Sequence, residues 1–116
     1  MSIVLYLPNK SGNHTHTAVP KYIEEIIFRR IGDKDVPRII EIGPYRYKIT
    51  GYNSVRPSYG IRADIERFKK WCARYFCELE NIVFHEERKN YYVEFSMYDP
   101  IAQQFEKAGL IRRMGG

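Results

Sequence analysis

Two groups of residues have the types and spacing to act on phosphates. The first lies between Tyr45 and Tyr75, where Tyr45, Tyr47, Tyr52, Tyr59 and Trp71 interleave with Arg46, Lys48, Arg56, Arg62, Lys70 and Arg74. Cations along the phosphates and aromatic faces under the bases are what hold single-stranded nucleic acid. The second is His14-Thr15-His16. Two histidines one residue apart on a strand point the same way and can share one divalent metal. Such a metal polarises a phosphate for attack by a tyrosine hydroxyl, and Tyr75, Tyr91 and Tyr92 are the candidate nucleophiles.

The paired histidines with a tyrosine resemble the arrangement of rolling-circle replication and relaxase nucleases. That resemblance implies His14 and His16 as metal ligands, with the distant His85 as a further imidazole. The sequence departs from the pattern: Thr15 stands where a bulky hydrophobe belongs, and no Glu or Gln adjoins the pair. Residues 8–17, PNKSGNHTHT, also read as a polar, turn-forming loop. A surface loop holding two histidines accounts for them, so no metal ligand is assigned. Val4–Asn9 and Lys89–Phe95 have a partial likeness to the first- and third-strand signatures of the RNA-recognition motif. The expected glycine is missing, Asn90 stands where an aromatic belongs, and two helices separate the segments instead of one, so that family is not assigned either. Neither a phosphate-binding glycine loop nor a Gly-x-Ser-x-Gly elbow occurs. The acids are spaced as surface or capping charges. No catalytic residue and no cofactor are assigned, and an enzyme is not the expected class.

The charge layout favours binding. The chain of 116 residues has 19 Lys and Arg against 14 Asp and Glu, a net charge of +5. Residues 38–74 hold nine of the cations and three of the acids, which is +6, and the remainder holds ten and eleven, which is −1. Such asymmetry speaks to partners and not to fold. Nucleic acid, DNA or RNA, is the first expectation, and an acidic protein the second.

Length and composition fit one globular domain over residues 1–116. No apolar run approaches the roughly 20 residues of a membrane-spanning helix, and no membrane association is expected. Met1–Leu7 lacks the basic start of a signal peptide. Cys72 and Cys77, five apart in a segment that reads as helix, point about 140° apart around its axis. Reduced thiols in a cytoplasmic compartment are therefore expected.

The pattern along the chain predicts strands at 3–7, at 38–50 around Gly43-Pro44, at 81–86 and at 91–96. A helix is expected from Thr17–Pro20 to a stop at Gly32, with Glu25 and Arg29 as an i,i+4 pair. Residues 51–61 read as irregular loop. The clearest helix runs from Ala63 to Leu79, with Ile65, Phe68, Cys72, Tyr75, Phe76 and Leu79 as its apolar stripe and Arg67, Lys70 and Arg74 on another side. A last helix starts at Asp99-Pro100, with Ile101, Phe105 and Ala108 on its apolar face.

The resulting order is β-α-β-β-α-β-β-α. It predicts an α+β protein with a single antiparallel or mixed sheet, helices on one face and a ferredoxin-like core with extra elements. The expected function is non-enzymatic nucleic-acid binding by Arg46, Lys48, Arg56, Tyr59, Arg62, Arg67, Lys70 and Arg74. The rivals are a small virus- or plasmid-encoded inhibitor or adaptor that acts by protein contact, and the metal-dependent nuclease. A homodimer through an exposed edge at 45–50 or 91–96 is a further expectation.

Overall fold

Alternation along Val4–Pro8 (β1) buries Leu5 and Leu7 and exposes Val4 and Tyr6. The computed structural model describes residues 3–8, 11–53, 58–75, 78–88, 90–97 and 99–113, with the backbone alone for 53, 58, 59, 99–101 and 113. In it β1 pairs antiparallel with His14–Ala18 (β2), Tyr6 standing opposite His16. The segment expected to be loop is thus a strand from His14 onward. HTHTA has no apolar alternation of its own, and its extended form follows from pairing with β1.

The next helix, α1 (Lys21–Ile27), buries Ile23, Ile26 and Ile27. It stops short of the expected Gly32. Phe28 leaves it in extended conformation, and Phe28–Ile31 (β3) pairs with Lys34–Pro37 (β4). Gly32, with φ +64, sits in the turn between them. A positive-φ glycine ends a helix or turns a hairpin equally well, and here it turns a hairpin. Arg29 therefore lies in a strand and makes no helical i,i+4 pair with Glu25.

Ile39–Gly43 (β5) and Arg46–Asn53 (β6) form the expected antiparallel pair. Glu80–Glu87 (β7) and Asn90–Ser96 (β8) follow the long helix α2 (Ser58–Ala73). This helix starts five residues before the expected Ala63 and ends before Leu79. The last helix, α3 (Asp99–Lys107), closes on a Schellman turn. Gly109 has φ +76 and donates to the Glu106 carbonyl, while Leu110 donates to that of Phe105. The turn feeds Ile111–Arg113 (β9), a strand beyond the expected order.

The main sheet has the order β7-β8-β6-β5-β9, antiparallel except for β5 beside β9. It is mixed, and the protein is α+β. A single sheet with a ferredoxin-like core is not reproduced. β1 lies in a separate two-stranded sheet with β2, β3 and β4 form another, and the predicted order gains β2, β3, β4 and β9. Strands β6 and β8 are interior, so the stretches 45–50 and 91–96 offer no free edge. The edges of this sheet are β7 and β9.

One face of the sheet carries Ile39, Tyr47, Ile49, Val93 and Phe95, all buried. Helix α2 covers it: Phe68 meets Phe95 edge-on at 6.2 Å and Phe105 of α3 at 6.1 Å. Trp71 stacks on Phe105 at 6.3 Å. Leu5 and Leu7 join the same core from β1. Cys72 is buried on α2, and Cys77 lies outside the described residues. Among the described residues no helix is long and apolar enough to cross a membrane.

A bulge in β6, between Ile49 and Tyr52, is locked by a cation from the basic third of the chain. Arg38 donates from Nη1 to the Gly51 carbonyl at 2.8 Å and from Nε to the Phe28 carbonyl at 3.3 Å, and its guanidinium lies 5.0 Å from the Tyr52 ring centroid. Gly51 has φ +92, and a Cβ there would strike Arg38 Nη1. Gly51→Ala is expected to destabilise the fold by about 1–3 kcal/mol, the range for a residue forced into a sparsely populated backbone region. Urea unfolding measures it. A smaller loss in an Arg38→Ala background would show that the clash adds to the backbone strain.

Candidate nucleic-acid interface

Helix α2 is built by its apolar arc. Ile61, Ile65, Phe68, Trp71 and Cys72 recur at spacings of three and four and are all buried. The opposite arc is therefore turned to solvent, and it carries Arg62, Glu66, Arg67, Lys69 and Lys70, all exposed, with Arg74 exposed in the turn that follows. Five cations against one acid leave this arc at +4. Sixteen residues of helix span about 24 Å, so the charge forms a stripe. The cations near its C-terminus also suit the helix dipole.

The fixed and the free cations differ. Arg62 lies 4.0 Å from the Phe84 ring centroid, held over an aromatic face of β7. Arg67 bonds Asp64 Oδ1 at 3.0 Å, and the other oxygen of Asp64 accepts from the Tyr52 hydroxyl at 2.7 Å. With the Arg67 side chain 58% exposed, such a pair is worth about 0–1 kcal/mol and exchanges easily for a phosphate. Among the described residues the side chains of Lys69, Lys70 and Arg74 make no ion pair or hydrogen bond.

Arg46 and Lys48 stand elsewhere. They alternate with the buried Tyr47 and Ile49, so they project from the sheet face that α2 does not cover. There Arg46 bonds Glu94 Oε2 at 3.2 Å and the Asn81 carbonyl at 3.0 Å. Lys48 Nζ lies 5.5 Å from the Tyr92 ring centroid, and His85 stacks on that ring at 4.7 Å. His85 Nε2 is 3.5 Å from Glu94 Oε1. One carboxylate thus stands between Arg46 and His85 and offsets the positive charge of this face.

The structure therefore brings Arg62, Arg67, Lys70 and Arg74 together and separates them from Arg46 and Lys48 by the thickness of the sheet. Tyr59 lies in the first turn of α2, its side chain undescribed, and Arg56 is outside the described residues. Of the interleaved aromatics, Tyr47, Tyr52 and Trp71 are core residues, at 3%, 3% and 2% exposure, while Tyr45 is exposed. Lys69 belongs to the stripe although the stepwise reading Arg67-Lys70-Arg74 passed over it. A full helical projection reveals it, because it falls beside Arg62 seven residues earlier.

A groove of about 960 Å³ lies between α1, the β3–β4 hairpin and α2. Lys21, Arg30, Arg38 and Arg67 line it together with Glu24, Glu25, Asp35 and Asp64. Four cations facing four carboxylates leave it without the charge excess that would gather phosphates.

The paired histidines sit on β2, with both rings against Tyr6 at 5.3 and 5.0 Å. His85 is in the other sheet, against Glu94. Of the candidate nucleophiles, Tyr75 packs edge-on against Trp71, Tyr92 stacks on His85, and Tyr91 is paired opposite Tyr52. Among the described residues no group of three His, Cys, Asp or Glu side chains is placed to hold a metal. Comparison with protein-family models, with curated proteins and with solved structures finds no match.

Proposed function

We propose that this protein binds nucleic acid through the solvent face of α2, without chemistry on it. The supporting observation is the contiguous stripe of Arg62, Arg67, Lys69, Lys70 and Arg74 with Glu66 as its one acid. Phosphates along a strand or duplex match a row of exposed cations, and displaced counterions supply much of the free energy. Contacts of lysine and arginine to phosphates fix position without reading base edges, so binding carried by this charge is expected to be insensitive to sequence. The burial of Tyr47, Tyr52 and Trp71 removes three aromatics from service as base platforms and shifts the weight of the interaction to charge.

Fluorescence anisotropy with labelled single- and double-stranded oligonucleotides tests this reading. Four to five phosphate contacts predict that affinity falls on the order of 10²-fold between about 50 and about 200 mM salt. No binding at the lower salt, or an affinity indifferent to salt, would overturn it.

A further inference from the structure

We propose that His14 and His16 form half of a divalent-metal site that the same two residues of a second copy of this chain complete. The period of two along β2 puts both imidazoles on one face, with Cα atoms about 6.7 Å apart at the usual strand rise. Tyr6, directly across on β1, touches both rings and limits their rotation. Both histidines are exposed, and among the described residues neither imidazole makes a hydrogen bond or ion pair. Their nitrogens are therefore available to a metal, and neutral imidazole is a good ligand for zinc.

The ligand count leads to the second copy. Structural zinc takes four nitrogen, sulfur or oxygen ligands, and no third His, Cys, Asp or Glu of this chain joins the pair among the described residues. His85 lies apart from the pair, in the main sheet, stacked on the Tyr92 ring. An isologous contact duplicates every residue it contains, so two such faces meeting about a two-fold axis bring four imidazoles to one ion. The face is suited to being covered. Val4 and Tyr6 are 51% and 47% exposed beside the histidines, while Leu5 and Leu7 hold the hairpin to the core from its other side.

The full chain is titrated with zinc chloride and followed by light scattering and bound-metal analysis. The expected result is a doubling of mass with one zinc ion per two chains. Cobalt in place of zinc gives the intense visible absorption of a four-coordinate nitrogen site. His14→Ala and His16→Ala, each alone, abolish the doubling and the cobalt spectrum, and His85→Ala retains both. His14 and His16 are surface positions, and circular dichroism of each variant checks that it is folded. One ion per chain on a monomer, a dimer that survives chelation or the loss of either histidine, or no zinc binding at all would each overturn the proposal.

Discussion

Charge reversal of Lys69, Lys70 and Arg74 together is expected to weaken nucleic-acid binding by roughly 10²–10³-fold at about 0.1 M salt. The magnitude follows from counterion release. Each phosphate contact contributes a slope of about −0.9 in log affinity against log salt, so three lost contacts flatten the measured slope by about 2.7 units. These three cations are chosen because no other side chain holds them among the described residues. Their replacement removes phosphate ligands without breaking an internal bond. Glutamate keeps good helix propensity, although acids in the last turn oppose the helix dipole by about 0.3–1 kcal/mol each. A thermal melt separates that cost from the loss of binding. Lys48→Gln, on the uncovered side of the sheet, is expected to leave affinity unchanged. A triple variant that binds as the parent does would remove α2 from the interface, and a loss confined to Lys48→Gln would move the interface to the other face.

Phe68→Ala is expected to lower the free energy of unfolding by about 3–5 kcal/mol, the usual range for emptying a buried aromatic site. Phe68 has no exposed surface and joins the two layers of the core, meeting Phe95 on the sheet and Phe105 on α3. Its removal leaves a cavity with rigid walls, since β8 is an interior strand and cannot easily move inward. A domain of this size has about 5–15 kcal/mol in total, so much of the native stability is at stake. Urea unfolding reads the change from the midpoint at constant slope. Phe68→Leu keeps most of the volume and is expected to lose far less. A loss below about 1 kcal/mol for the alanine variant would show that α2 and α3 close over the gap. The stability measurement also bears on function, because the same contacts press the apolar arc of α2 inward and so turn its cations outward.

The parts of the fold that were legible are those with strong periodicity. Ile65, Phe68 and Cys72 at helical spacing mark α2, and the alternation of Tyr47 and Ile49 with Arg46 and Lys48 marks β6. Where a segment depends on its partner the signal is weak. HTHTA becomes a strand because β1 lies beside it, and Phe28–Ile31 becomes one because β4 returns along it after Gly32. Ile111–Arg113 is too short to declare itself and is drawn out by β5. The same distinction applies to the aromatics. Residue type alone does not tell a tyrosine that packs, such as Tyr52 with its hydroxyl on Asp64, from one that is offered to solvent, such as Tyr45.

By itself the sequence determined that the positive charge is concentrated between Arg38 and Arg74 and that it falls into a strand, a loop and a helix. Local periodicity is enough for that, because which side chains share a face of one element follows from its repeat. Only the tertiary structure decided how the pieces stand to one another. The sheet lies between the Arg46 and Lys48 face and α2, Arg38 turns inward to hold the Gly51 bulge, and Arg62 to Arg74 form a continuous basic stripe on α2 and the turn after it. The reason is that the sheet has two sides and α2 covers one of them. Which side it covers is set by where Ile39, Tyr47, Ile49, Val93 and Phe95 converge across three strands, a relation between residues up to 56 positions apart that no local pattern contains.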